Sequence, residues 1–88
     1  MTVAEQIETK LIEAFHPMRL QVIDESHKHA GHAGARPEGE THFQVEMVSV
    51  AFTGKSRLER QRMVYAALAD EMAGPIHALQ MQVSAPGE

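Results

Sequence analysis

The sequence predicts a small α+β domain, a three-stranded mixed sheet with helices packed on one face, in the order α-β-β-α-β. Three observations lead there. Eighty-eight residues make a single domain that buries about 60 to 65% of its unfolded surface, enough for one sheet and one helical layer. The apolar residues change period along the chain, from helical spacing to alternation, then back to helical spacing and again to alternation. Structure-breaking residues fall between these runs: Pro17, the polar stretch 26–41, Thr53-Gly54-Lys55-Ser56 and Gly74-Pro75.

Thr2 with Glu5 forms a capping-box pattern, and Val3, Ile7, Leu11, Ala14 and Phe15 then define an amphipathic helix that Pro17 ends. His16 stands where an imidazole suits the helix dipole. Met18 to Asp24 alternates as a half-buried strand, with Leu20 and Val22 on one side and Arg19 and Gln21 on the other. His42 to Phe52 is the second strand. Its apolar phase shifts from Phe43, Val45 and Met47 to Val48, Val50 and Phe52, which implies a bulge or bend near its end. The two strands are most simply an antiparallel pair. Ser56 is placed to cap a helix from Arg57 to about Met72, with Leu58, Val64, Tyr65, Leu68 and Met72 at helical spacing. Gly74-Pro75 stops it. Ile76 to Val83 is the third strand, with His77, Leu79, Met81 and Val83 on one face. Order is expected over residues 2–83, with 84–88 a loose tail.

A strand, a helix and a strand in one sheet form a right-handed crossover that leaves the two strands parallel. The second and third strands should then start at the same edge, which predicts that His77 and the loop entering at His42 are neighbours in space.

Composition narrows the function. With no cysteine, the chain cannot build a disulfide framework, a thiolate zinc site, a thiol nucleophile or an iron–sulfur cluster held by its own sulfurs. A net charge of −4 argues against coating nucleic acid with the whole surface. Yet Lys55, Arg57, Arg60 and Arg62 put half of the eight basic residues into eight positions, opposed locally by Glu59. That patch suits phosphate contact, an acidic partner or plain solvation. There is no nucleophile elbow, phosphate-cradling glycine loop or HExxH, and so small a chain has little room for a deep pocket, so it does not read as an enzyme. No apolar run follows a basic start, and no span approaches the ~20 apolar residues that cross a bilayer. The expectation is a soluble, cytoplasmic protein with no membrane partner.

The stretch DESHKHAGHAGARPEGETHF, Asp24 to Phe43, holds four of the six histidines: His27, His29, His32 and His42. Between Ser26 and Thr41 no apolar residue is larger than alanine, and three glycines and one proline intervene, so this is a solvated loop. Its histidines either face water or supply nitrogen ligands and titratable groups. The spacing His27-x-His29-x-x-His32 could also hold zinc, copper or nickel weakly. His42, at the mouth of the second strand, reads as a donor behind a ligand or as simply solvated. Gly31-x-x-Gly34 is not the backbone clamp of KH domains, because it precedes a strand instead of joining two helices.

From Val22 to Met81 the chain resembles the BolA family. The marks are the E-S-x-x-H loop, the ETHF entry to the second strand, F-x-G-K-S-x-L-x-R-x-R-x-V-Y in the helix, and G-P-x-H-A-L before the third strand. The loop HKHAGHAGARPEG is longer and richer in histidine than the commonest form. The resemblance implies a class II KH-like domain that partners a monothiol glutaredoxin around a bridging [2Fe-2S] cluster, in iron–sulfur trafficking or iron regulation. Glutaredoxin and glutathione would supply thiolates. This chain would supply imidazole from His77 and from one loop residue, by spacing from Ser26 first His29, then His32, then His27. Exchanging thiolate for imidazole raises a cluster's reduction potential. DNA binding by some members implies the alternative, a KH-like transcriptional regulator that touches DNA weakly through Lys55, Arg57, Arg60 and Arg62. A homodimer in the absence of a partner stays open.

Overall fold

The computed structural model describes residues 2–25 and 42–88. The first helix, α1 (Val3–Phe15), starts as the sequence dictates: the Glu5 N–H donates to the Thr2 hydroxyl and the Thr2 N–H to the Glu5 carboxylate, both at 3.1 Å. Two donors that a helix start leaves open are thereby satisfied. Ile7, Leu11 and Phe15, at four-residue intervals, are its buried stripe. The helix closes on His16, whose left-handed backbone (φ 44°) lets its N–H donate to the Ile12 carbonyl at 2.9 Å.

Strand β1 (Arg19–Asp24) pairs antiparallel with β2 (His42–Val48), and β2 pairs parallel with β3 (Ala78–Ser84), in the order β1-β2-β3. The register runs from His42 opposite Ala78 to Val48 opposite Ser84. This is the parallel crossover expected from the strand–helix–strand order. Phe43, Val45 and Met47 are buried on the inner face, where they join a core with Ile7, Leu11, Phe15, Phe52, Val64, Leu68 and Ile76. Leu79, Met81 and Val83 pack against the same core, while Gln80 and Gln82 are exposed on the other side of β3.

The structure corrects four element boundaries. The second strand ends at Val48 because Ser49 is drawn out of the sheet: its hydroxyl donates to the Phe15 carbonyl at 2.6 Å and accepts the Ala51 N–H at 3.1 Å. A 3-10 turn (Val50–Phe52) follows, which leaves Val50 65% exposed and sets Phe52 against Phe15 with ring centroids 5.0 Å apart. The expected second helix is two, α2 (Arg57–Ala67) and α3 (Ala69–Ala73), separated at Leu68, whose backbone leaves helical values. Ser56 caps α2, reinforced by Glu59. Val64 and Leu68 are buried, but Leu58 and Tyr65, seven residues apart on the flanking stripe, are exposed. The third strand begins at Ala78, leaving His77 just ahead of it. Finally, the end of the chain is not loose. Ser84 closes β3, its carbonyl accepts the Ser49 N–H at 3.0 Å, and Ala85 is buried.

Candidate functional site

His77 is presented by three local features. Glu71 in α3 is 6% exposed and takes the Lys10 ammonium of α1 at 2.9 Å, which ties α3 to α1. Hydrogen bonding to Glu71 holds the Lys10 ammonium above its ordinary pKa, against the partial desolvation that opposes it. The Glu71 carbonyl accepts N–H donors from Gly74 (3.2 Å) and Ile76 (3.0 Å), which fixes the Gly74-Pro75 turn. Ile76 is then drawn into the core, and the next side chain, His77, stands exposed where β3 begins.

The parallel register puts His42 opposite Ala78, so the His42 ring lies beside His77, with centroids 6.2 Å apart and planes inclined by 21°. The Glu25 N–H donates to the His42 carbonyl at 2.8 Å. Glu25 and His42, the described residues on either side of 26–41, therefore both stand at the end of the sheet where β3 starts. His27, His29 and His32 lie outside the described residues. The sequence reads His42 as a donor behind a ligand or as solvated, and the structure sets its ring beside His77. The signal was available, because strands that start at one edge bring their first residues together.

Exposed His77 and half-buried His42, in a chain without cysteine, offer imidazole nitrogen as the donor. They do not fit a closed cage, which takes about four protein ligands. Among the described residues, no three histidines, aspartates or glutamates gather as a metal-holding group.

A second feature occupies the other end of the sheet, six residue steps or about 20 Å along β2. The far ends of β2 and β3 and the start of α2 frame an open groove of about 860 Å³. Arg19, Lys55, Arg57 and Arg60 line it, with Glu46 as the single acid. Arg62 is not among the lining residues. Arg60 is less available than the sequence implies. Its guanidinium donates to both carboxylate oxygens of Glu88 at 2.6 and 2.7 Å, and its Nε–H to the Lys55 carbonyl at 3.0 Å. Glu59 is likewise occupied, held below the usual carboxylate range chiefly by the Ser56 N–H. Neither Lys55 nor Arg57 takes part in an ion pair among the described residues. Tyr65, 41% exposed, is the aromatic residue that the described surface offers.

Residues 11–88 match the family of BolA-like proteins. The chain belongs to the BolA-like family. This BolA-like chain is 46% identical over 81 residues to the DNA-binding transcriptional regulator BolA of Escherichia coli, covering 92% of this chain and 73% of that protein. It is 42% identical to SufE-like protein 1 of Arabidopsis thaliana over 94% of its own length but only 24% of that protein. The solved structure of BolA1 from Arabidopsis thaliana matches with a TM-score of 0.88 at 33% identity, covering all of this chain and 96% of that one. The BolA-like fold thus agrees with the sequence reading: a small α+β domain with a three-stranded mixed sheet. No helix among its described residues is long and apolar enough to cross a membrane.

Proposed function

We propose that this BolA-like domain partners a monothiol glutaredoxin and contributes imidazole to a bridging [2Fe-2S] cluster, for iron–sulfur trafficking or iron regulation. The observation that carries the reading is the exposed His77, set at the end of the sheet where Glu25 and His42, on either side of the histidine-rich segment, also stand. His77 is one donor, and a loop histidine, His29 ahead of His32 and His27, is the other. The cluster's chemistry is electron and iron–sulfur transfer. This chain's part is to hold the His77 nitrogen at a fixed edge, since Lys10, Glu71 and the core residue Ile76 fix the approach to His77. A chain without thiolate binds no cluster alone, because two imidazoles cannot hold two irons.

The test is to add the purified protein to a cluster-bearing monothiol glutaredoxin with glutathione and weigh the products by native mass spectrometry. The reading expects a one-to-one heterodimer that carries two irons and two sulfides. A glutaredoxin homodimer that persists at every ratio would contradict it.

A second reading, weak contact with duplex DNA, is supported by the cationic groove and by the name of the Escherichia coli relative. Lys55 and Arg57 make the phosphate contacts, while Arg62 lies outside the groove lining. Phosphate contacts position a protein without reading bases, so this reading expects no sequence preference from them. Affinity should fall steeply with salt. Replacing Lys55 and Arg57 by alanine should flatten the log–log slope by roughly one unit per lost contact. An unchanged slope leaves the groove as a surface for another partner.

A further inference from the structure

Residues 85–88 form a turn that delivers one carboxylate to one guanidinium. The Glu88 N–H donates to the Ala85 carbonyl at 3.3 Å, with Pro86 in the second position and Gly87 at φ 87° in the third. Those are the residue types of a type II turn, whose third position needs positive φ. Ala85 is buried and the Ser84 carbonyl is taken by Ser49, so the segment is already anchored before the turn begins. The Glu88 carboxylate lies across the Arg60 fork at 2.6 and 2.7 Å and accepts the Ala85 N–H at 3.2 Å.

An arginine fork grips a carboxylate and a phosphate with the same pair of parallel N–H donors. Arg60 lines the groove together with Arg19, Lys55 and Arg57, three further cations aimed at the same space. Its side chain is 13% exposed and that of Glu88 is 45% exposed, so the acid is the outer and more readily displaced member of the pair. Arg60 holds the Glu88 carboxyl down to about 2, with help from the Ala85 N–H, so the occupant is an anion throughout the neutral range.

We propose that residues 85–88 are an internal strap over an anion site, in which Glu88 occupies the Arg60 fork in place of a nucleic-acid phosphate and must leave for that phosphate to enter. This rests on the DNA-binding reading of the groove and adds its regulation. Removing the strap's carboxylate opens a fourth cation to the ligand. Anything that draws residues 85–88 away does the same.

The test measures binding of a short duplex DNA oligonucleotide as a function of salt, starting from about 50 mM, where phosphate contacts are strong. The proteins are wild type, Glu88→Gln, Arg60→Gln and the double variant. Glu88→Gln is expected to tighten binding by roughly tenfold and to steepen the salt slope by about one unit, the signature of one added phosphate contact. In the Arg60→Gln background the same change should do little, which separates release of the fork from the loss of one negative charge. Far-ultraviolet circular dichroism verifies that all four proteins are folded. If wild type binds and Glu88→Gln binds identically, or if its gain survives in the Arg60→Gln background, the strap is overturned while the groove remains a phosphate site. If neither wild type nor Glu88→Gln binds at the lowest salt, the DNA-binding reading is overturned and the strap with it.

Discussion

The imidazoles of His42 and His77 lie side by side at the start of a parallel strand pair, their ring centroids 6.2 Å apart and their planes 21° from parallel. Two residues 35 positions apart meet because a parallel crossover starts both strands at one edge. Ring currents report this directly. In His42→Ala the His77 ring protons should move clearly in the NMR spectrum, while those of His16, at the end of α1, should stay in place. Unmoved His77 signals would contradict the arrangement.

Ser49 joins three parts of the fold at once. Its hydroxyl donates to the Phe15 carbonyl that ends α1 and accepts the Ala51 N–H, and its own N–H donates to Ser84 in β3. The side chain is fully buried. Ser49→Ala leaves a buried carbonyl and a part-buried N–H without that partner, and should cost about 1–3 kcal/mol. Urea denaturation measures it, and a loss within a few tenths of a kcal/mol would show that water replaces the hydroxyl.

His16 closes α1 with a left-handed backbone, φ 44°, a conformation that costs a side-chain-bearing residue about 1 kcal/mol. Glycine carries no such penalty and is the commonest residue at this helix-ending position. His16→Gly should therefore raise stability by about 0.5–1 kcal/mol, less what is lost through the extra freedom of the unfolded chain. A lower thermal midpoint would mean that the imidazole makes a compensating contact with the helix end.

The Arg60–Glu88 pair gives stability a defined pH window. The Glu88 carboxyl is depressed from 4.5 to about 2, chiefly by hydrogen bonding to Arg60. A depressed carboxyl contributes stability that is complete above the unfolded value and is lost as pH falls through the folded value. The stability difference between wild type and Glu88→Gln should thus be constant above about pH 5 and shrink toward zero near pH 2. A difference that is independent of pH over this range would rule out the ion pair as its source.

Local patterns were the legible part of this sequence. The Thr2–Glu5 box and the Ser56 cap both form as read, and Glu59 completes a second box at Ser56 that the sequence analysis did not name. The strand alternation and the crossover rule together predicted the strand directions and the edge at which His77 emerges. Contacts between distant residues were not legible, because nothing in either local sequence marks its partner. Lys10 and Glu71 are 61 positions apart, and Arg60 and Glu88 are 28 apart. The second of these changed the picture of the basic patch, since a residue expected to meet phosphate already holds a carboxylate. Pro86-Gly87 was a turn signal that would have questioned the loose tail. Val50 shows the opposite error: alternation continues past the end of the strand, and only the tertiary partner of Ser49 ends it.

The central claim is that this chain donates nitrogen to a cluster that its partner chiefly holds. The most direct measurement compares the visible circular dichroism and the lifetime of the [2Fe-2S] complex formed with a monothiol glutaredoxin and glutathione, for wild type, His77→Ala, His29→Ala and the triple His27, His29 and His32→Ala variant. His77→Ala should alter the spectrum and shorten the lifetime more than His29→Ala, because His77 is held in one place where β3 begins, whereas three loop histidines can replace one another. The triple variant should deepen the His29→Ala effect. If His77→Ala and the triple variant both form the heterocomplex with wild-type spectrum and lifetime, the partner and glutathione hold the cluster unaided and the claim is wrong.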